Sequence, residues 1–478
     1  MLGEFLYGVY TAVSSVMFVY GLNFYYLTYR SSRNTPKAPP SPLTSLPRVT
    51  VQLPIYNERY VAKRLIESVC QFDYPRSKLE IQVLDDSTDD TVSICKETVQ
   101  QFLAKGINLV YVHRDERLGF KAGALQEGLN HSTGEFVAIF DADFVPTPDF
   151  LTKALSYFAS KEIGMVQTRW GHLNEDYSTL TKAQSLSLDA HFQIEQRAKS
   201  YSELFMNFNG TAGVWRKDCI LDAGGWHDSL AEDLDLSFRA QLRGWKFLFL
   251  NDYVSPAEIP VQMNASRKQQ FRWAKGSGQC IKKFFKEIFI SRLKFNTKLQ
   301  ALLQLTRHVV FPLSIVQLLL LPFLIGWGFD LAPTTGIMSQ LTLGPLAYAY
   351  ALRKMYGKEW PSKIPKYMYL LLFGEGISLT NSIAFFEGLL GIKGSFDRTP
   401  KYAILNKSDT WRGKKYQSPI SWILFGELGL TAYGIIVILL ALIKRSFLLV
   451  PNIGIQTLGF LYVASLTIQH SIIKHGRN

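Results

Sequence analysis

Two carboxylates, Asp141 and Asp143, stand one residue apart at the end of the apolar run 137–140. Such a run predicts a buried strand, because a strand covered on both faces needs no polar alternation. At the mouth of a parallel sheet, two carboxylates can share a divalent cation, and the cation can hold a diphosphate. The alternative is that both aspartates are solvated residues that open the next helix. The pair therefore raises the hypothesis of a metal–diphosphate site, which further motifs must support.

Polar residues also follow two other predicted strands. Tyr56, Asn57 and Glu58 come after the first, and Asp85 and Asp86 come after the second. The predicted strands are 48–53, 80–84, 107–113, 136–140 and 164–168, and the predicted helices are 60–71, 91–104, 121–130 and 151–159. This alternation predicts an α/β domain with a mostly parallel sheet, whose ligands lie at the carboxyl ends of the strands. No glycine-rich dinucleotide or P-loop motif occurs at these turns, which disfavours both chemistries.

The second half of the domain carries two more groups that could do chemistry. Glu232 and Asp233 precede a predicted helix at 234–242, which Asp233 and Asp235 could equally cap. Farther on, Gln269 shares one helical face with Arg272 and Trp273 at spacings of three and four. That face could belong to an amphipathic helix on a membrane. It also suits a sugar, since indole stacks on pyranose faces while amides and guanidinium reach hydroxyls and phosphates.

Apolar segments flank this domain on both sides. Residues 5–29 carry no charge and are long enough to span a bilayer, so 1–30 is predicted to be a retained anchor, with Tyr25, Tyr26 and Tyr29 at its interfacial end. A proline-rich linker, 31–47, leads to the domain at 48–290, and residues 291–478 form a second membrane region. Its apolar segments are 309–329, 331–352, 366–392, 419–443 and 446–469.

The net charge of +13 does not indicate nucleic acid, because the basic residues cluster beside the apolar segments. Their distribution predicts an integral membrane protein of the plasma or inner membrane with a cytoplasmic domain and five spans. The segment 366–392 is then interfacial or re-entrant, and six spans are the alternative. The four cysteines, at 70, 95, 219 and 280, have no metal-binding spacing and are predicted to be reduced.

Taken together, these motifs resemble the membrane-embedded processive glycosyltransferases of family 2, which include cellulose, hyaluronan and plant mannan synthases. The resemblance is strongest to the plant cellulose-synthase-like mannan and glucan synthases. It rests on the motifs above and on the runs 83–89, 121–125 and 208–216. Ala231 departs from the threonine that is usual beside the acidic pair, but the acids themselves are intact.

The resemblance implies a GT-A fold and inverting transfer from GDP-mannose or UDP-glucose to a growing glycan chain, which leaves through the protein's own helices. Asp141 and Asp143 would hold Mg²⁺ or Mn²⁺, and Asp233 would be the general base. The nucleotide would be bound by Tyr56, Glu58, Asp85, Asp86, Lys121 and Arg272. The acceptor would be bound by Glu232, Gln269, Gln270 and Trp273. A gating loop at 393–416 would include Phe396, Arg398, Thr399 and Lys401.

Several alternatives stay open at the level of sequence. Lys121 could be a solvated surface lysine, and 393–416 could be an ordinary basic loop beside the membrane. A non-processive enzyme that glycosylates a lipid, as ceramide glucosyltransferases do, would share the motif at 269–273. A transporter or a degenerate scaffold is disfavoured, because every expected acid is present and intramembrane charges are few.

Overall fold

A computed structural model describes residues 1–33, 45–331, 344–392, 394 and 398–472. Within them, seven strands form one sheet in the order β3-β2-β1-β4-β6-β5-β7. The strands are β1 (Val49–Ile55), β2 (Leu79–Asp85), β3 (Leu109–His113), β4 (Phe136–Ile139), β5 (Ile163–His172), β6 (Gly213–Arg216) and β7 (Lys246–Ala257). Strand β6 runs antiparallel to both of its neighbours, and the other paired strands are parallel. The predicted mostly parallel sheet is thereby confirmed.

Helices cover both faces of this sheet and create a core on each side. Because successive side chains of a strand point to opposite faces, β4 sends Val137 and Ile139 into one core and Ala138 into the other. This explains why the run before Asp141 is uniformly apolar. The helices of the domain are α2 (Ala62–Val69), α3 (Thr91–Leu103), α4 (Phe120–His131), α5 (Phe150–Leu155), α6 (Thr179–Ala190), α7 (Arg197–Tyr201), α8 (Lys217–Asp222), α9 (Glu232–Leu242) and α10 (Met263–Ile290).

The remaining helices precede or follow the domain in the chain. They are α1 (Leu2–Arg33), α11 (Phe295–Thr306), α12 (Val310–Gly326), α13 (Pro345–Tyr356), α14 (Pro365–Gly376), α15 (Ser378–Leu390), α16 (Ile423–Ile443) and α17 (Val450–Ile472). Four described helical stretches are long and apolar enough to cross a membrane: Leu2–Arg33, Phe295–Gly326, Ile423–Ile443 and Phe447–Ser471. They are consistent with an integral membrane protein.

The predicted spans and linker correspond only in part to these helices. The span predicted at 309–329 belongs to a longer helical stretch that begins at Phe295, in α11. Most of the span predicted at 331–352 lies outside the described residues, which resume at 344 with the 12-residue helix α13. Most of the proline-rich linker also lies outside them. The domain boundaries remain predictions.

The segment predicted to be re-entrant is a bent pair of helices. Helices α14 and α15 meet at 49°, so they form either a broken span or a re-entrant loop. Helix α15 packs along α10 and fixes it through the ion pair between Lys275 and Glu387, whose atoms lie 2.6 Å apart. A second, buried pair joins Arg267 of α10 to Glu427 of α16 at 2.7 Å. These two pairs hold α10, which carries the motif at 269–273, between the domain and the membrane helices.

The four cysteines lie in apolar surroundings. All four are free thiols; Cys95, Cys219 and Cys280 are buried and Cys70 is half-buried. They lie in the apolar cores and take no part in the site described next.

Candidate active site

A cleft opens where β1 and β4 end, as expected for a parallel sheet. It encloses about 1490 Å³ of empty space, part of it open to solvent. Among the predicted site residues, those that line it are Tyr56, Glu58, Asp86, Lys121, Asp141, Asp143, Glu232, Asp233, Gln269, Gln270, Arg272, Trp273, Arg398, Thr399 and Lys401. The structure therefore brings together motifs that are separated by more than 300 residues of chain.

Lys121 lies at the centre of an acidic group. Its ammonium is 2.6 Å from the Asp141 carboxylate and 3.6 Å from Glu232, and it donates to the Gly210 carbonyl at 2.9 Å. Burial alone would lower the pKa of Lys121, but the two carboxylates outweigh it and the pKa is raised. The lysine is only 13% exposed, so the solvated alternative is wrong. A fixed cation beside Asp141 is placed to meet a negatively charged ligand.

Gly210 lets the backbone approach Lys121 and Asp233. Its φ of 84° lies in the left-handed region, which favours glycine. A Cβ at this position would come within 3.0 Å of an Asp233 oxygen and 3.4 Å of the Lys121 nitrogen. A larger residue would push the carboxylate and the ammonium apart. This glycine lies in the run 208–216, which contributes to the family resemblance, but no role was predicted for it.

Asp233 is a half-buried carboxylate with a raised pKa. It lies in the first turn of α9, where its carboxylate accepts a hydrogen bond from the Leu234 amide at 2.7 Å. Burial and, after it, the neighbouring Glu232 carboxylate raise the pKa of Asp233 to about 7. A carboxylate with a pKa near the working pH can both accept a proton and release it. The N-cap of α9 is Ala231, without a side-chain cap hydrogen bond, so Asp233 does not cap this helix.

The segment beginning at Arg398 lies directly on the cleft. Lys401 contacts the Asp143 carboxylate at 2.5 Å and donates to the Glu258 carbonyl, while Arg398 lies 3.3 Å from Glu58. Burial raises the pKa of Glu58 to about 8, although Arg398 opposes the shift. These contacts place the described part of the predicted gating loop against the cleft. An ordinary basic loop beside the membrane would not need such contacts. Phe396 lies outside the described residues.

The two aspartates at the end of β2 have different surroundings. Asp86 lines the cleft and receives two hydrogen bonds from Arg114, at 2.6 and 2.7 Å. Asp85 is fully buried, and its carboxylate accepts from the Tyr111 hydroxyl and the Ser87 amide. The structure therefore does not bring Asp85 into the cleft, because adjacent residues at a strand end point in opposite directions.

Several cleft residues were missed at the level of sequence. Arg117 stacks on Tyr56, with its guanidinium carbon 3.6 Å from the ring centre, which makes a cationic and aromatic wall. Glu258 and Asn209 also line the cleft. Arg117 follows β3, so inspection of the residues after every predicted strand would have identified it as a candidate. Glu258 follows the edge strand β7, which was not predicted.

The motif on α10 presents one face to the cleft. Gln269, Arg272 and Trp273 all line it, as their spacing predicted, and Gln270 lines it as well. All four side chains are half-buried. An indole, a guanidinium and two amides therefore face the acids across the same space.

Comparison with known proteins identifies the domain. Residues 47–276 match the family described as "Glycosyltransferase like family 2". This domain belongs to glycosyltransferase family 2. Glucomannan 4-beta-mannosyltransferase 2 of Arabidopsis thaliana is 47% identical over 251 residues, 51% of this chain and 47% of the relative. Glucomannan 4-beta-mannosyltransferase 1 of Oryza sativa subsp. japonica is 43% identical over the same length, 51% of this chain and 48% of the relative. The chain thus spans about half the length of these curated relatives.

A solved structure agrees with the fold of the glycosyltransferase domain. The mannosyltransferase PcManGT from Pyrobaculum calidifontis, in complex with GDP-Man and Mn²⁺, is 23% identical with a TM-score of 0.57. The match covers 81% of this chain and all of that one. At this identity the likeness shows the fold, and it confirms the predicted GT-A type.

The glycosyltransferase cleft has a donor set that fits a divalent cation. Among the described residues, no group of three or more His, Cys, Asp or Glu side chains could hold a metal ion by itself. Asp141 and Asp143 nevertheless line one cleft as hard carboxylate donors. Mg²⁺ is usually held by one or two carboxylates, with phosphate and water oxygens completing its shell. Lys121 contacts the Asp141 carboxylate and Lys401 contacts the Asp143 carboxylate. Each carboxylate therefore already has a positive charge beside it, as a bound cation would supply.

A second cavity, among the apolar helices, adjoins the cleft. The two share Ser187, Gln270 and Phe373 as lining residues. The second cavity is lined by residues of α1, α11, α12, α14 and α17, and many of them are polar although these helices are apolar overall. Its polar side chains include Ser14, Asn23, Ser187, Glu195, Lys199, Gln270, Gln300, Gln304, Arg307, Ser314, Gln317, Glu375, Asn452 and Gln456. Amide, hydroxyl and charged groups thus give this cavity a polar lining among apolar helices.

Proposed function

We propose that the protein is a membrane-embedded, inverting glycosyltransferase that builds a β-linked mannan or glucan-type polymer and passes it through its own helices. The single observation that carries this proposal is that the two cavities adjoin and share lining residues. A cleft with paired acids, a base and a tryptophan adjoins a polar cavity among apolar helices. The basic flanks of these helices support a cytoplasmic domain.

GDP-mannose is the donor that the relatives favour, and UDP-glucose is the alternative. The two curated relatives are named glucomannan 4-beta-mannosyltransferases, and PcManGT holds GDP-Man and Mn²⁺. In this chain, Tyr56, Glu58 and Asp86 would contact the nucleoside. Arg272 and Lys121 would face the diphosphate, because guanidinium and ammonium groups pair with phosphate oxygens.

The chemistry follows from the placement of these groups. Asp233 takes the proton of the acceptor hydroxyl, whose oxygen forms the new bond to the anomeric carbon. The diphosphate leaves from the opposite side of that carbon, so the configuration inverts. Lys121 and Arg272 stabilise the charge that develops on it. Mg²⁺ or Mn²⁺ on Asp141 and Asp143 would supply further positive charge for the leaving diphosphate.

Incubation of the purified full chain with single radiolabelled nucleotide sugars tests the function. We expect incorporation from GDP-mannose, or from UDP-glucose, into a product that a β-specific endoglycanase digests and that sizing shows to be a polymer. A product limited to one sugar on an extracted lipid would replace the synthase by a lipid glycosyltransferase. No release of nucleotide from any donor would overturn the enzymatic proposal.

Trp273→Ala is expected to shorten the product severely while changing donor affinity much less. A processive enzyme must hold its chain between additions, and stacking on the indole contributes on the order of 1 kcal/mol beyond burial of the ring area. The measurement is product length by gel filtration, with donor KM measured in parallel. Trp327→Ala, at the half-exposed end of α12, is the matched control and should leave length unchanged. Polymers of normal length from Trp273→Ala would contradict its role as acceptor platform.

A further inference from the structure

A π-helical turn, His191–Gln196, lies between the two cavities. It joins α6 to α7 without a break in the chain of helical residues. Such turns are rare and are frequent at functional sites, because the extra residue re-aims the side chains around it. Here, Glu195 lines the second cavity, while Asn209, which the turn contacts, lines the cleft.

A chain of hydrogen bonds runs through His191 from one cavity to the other. Asn209 donates its side-chain amide to Nε2 of His191 at 3.0 Å, so the ring proton lies on Nδ1. Nδ1 in turn donates to the Glu195 carboxylate at 3.0 Å. Burial lowers the pKa of His191, which favours this neutral form. The imidazole therefore has one acceptor and one donor, and both are in use.

Asn209 immediately precedes the glycine that contacts the catalytic groups. Gly210 accepts from Lys121, and its position is limited by the Asp233 carboxylate. The turn holds this loop at a second point, since Gln196 donates to the Asn209 side chain at 2.5 Å. A displacement at Glu195 would thus be passed through His191 to the backbone beside Lys121 and Asp233.

The Glu195 end of this chain is a charged subsite that faces the second cavity. Its carboxylate lies 3.8 Å from the Lys199 ammonium and 3.7 Å from the Arg307 guanidinium, and all three residues line that cavity. Burial would raise the pKa of Glu195, but His191, Lys199 and Arg307 hold it well below its ordinary value. One carboxylate between two cations suits a ligand that both donates and accepts hydrogen bonds, as saccharide hydroxyls do.

We propose that Glu195, Lys199 and Arg307 form a saccharide subsite in the second cavity, and that His191 is a positioning residue that couples its occupancy to the catalytic loop at Gly210. This inference rests on the proposed function. It adds that a chain long enough to reach the subsite speeds its own elongation. A short acceptor, confined to the cleft, lacks this effect.

The test compares two acceptors on one enzyme preparation. The purified full chain elongates a β-linked mannose disaccharide or hexasaccharide, with the labelled donor that it uses. We expect wild type to elongate the hexasaccharide about fivefold faster or more, the lower end of typical coupling between sites. In His191→Phe, which keeps a planar aromatic ring of somewhat larger size but loses both hydrogen bonds, the two rates should become equal. Because the readout is a ratio, a loss of folded enzyme cancels.

Matched variants complete the test. His131→Phe, on an exposed histidine of α4, should keep the wild-type ratio. His191→Gln, whose amide can accept and donate at once, should restore much of it. If His191→Phe has no activity, the same comparison is made with Glu195→Ala. This variant should likewise elongate the disaccharide and the hexasaccharide at equal rates. A wild-type ratio in His191→Phe or Glu195→Ala, or equal rates in wild type, overturns the coupling. Failure of wild type to elongate either acceptor would instead count against the proposed function.

Discussion

Asp233→Asn is expected to lower sugar transfer at least about 100-fold, while nucleotide binding stays close to wild type. The amide retains the shape of the side chain but cannot accept the acceptor proton, and loss of a general base costs about that much. Nucleotide affinity should change little, because Asp233 faces the acceptor side of the cleft in the proposed mechanism. Turnover and nucleotide affinity are measured on the same preparation.

The pKa of Asp233 gives this prediction a pH dependence. With its pKa raised to about 7, the base becomes protonated as the pH falls through that value, so kcat/KM should drop on the acid side. Asp228→Asn, an exposed residue just before α9, is the matched control and should keep both activity and profile. Near-normal turnover in Asp233→Asn would contradict the assignment of Asp233 as the general base.

Removal of the divalent cation should have an effect of similar size. EDTA, Asp141→Ala or Asp143→Ala should each lower turnover about 100-fold or more. The reason is that the cation contributes several kcal/mol of charge stabilisation to the leaving diphosphate, and each 1.36 kcal/mol is worth a factor of ten in rate. Mn²⁺ or Mg²⁺ added back after chelation should restore wild type but neither variant.

The control and the direct readout for the cation are separate from turnover. Asp115→Ala removes a fully exposed carboxylate and should leave activity and metal dependence unchanged. Binding of Mn²⁺ in the presence of nucleotide diphosphate, followed by electron paramagnetic resonance, should be lost in Asp143→Ala. If wild-type activity survives exhaustive chelation, the interpretation of Asp141 and Asp143 as metal ligands is wrong.

Much of the site could be predicted because strand ends are visible in sequence. The apolar run before Asp141 marks a strand covered on both faces, and parallel strands bring their carboxyl ends to one edge. This places Glu58, Asp86 and Asp141 together without any knowledge of the turns between them. The face shared by Gln269, Arg272 and Trp273 followed equally from helical spacing.

The remaining features depend on tertiary contacts that sequence periodicity does not encode. The spacing of Asp85 and Asp86 does not show which of them turns inward, and the structure buries Asp85 against Tyr111. Glu258 reaches the cleft from the edge strand β7, and Lys401 comes from the membrane region. The contact between His191 and Asn209 depends on a π-helical turn, for which local propensity gives no signal.

A structure of Asp233→Asn with GDP-mannose, Mn²⁺ and a β-linked mannose hexasaccharide would locate the donor, the cation and the acceptor chain in a single experiment. We expect the diphosphate and the cation to lie against Asp141 and Asp143 and the terminal sugar to stack on Trp273. The rest of the saccharide should lie in the second cavity. A nucleotide bound outside the cleft, or a saccharide that never enters the second cavity, would contradict it.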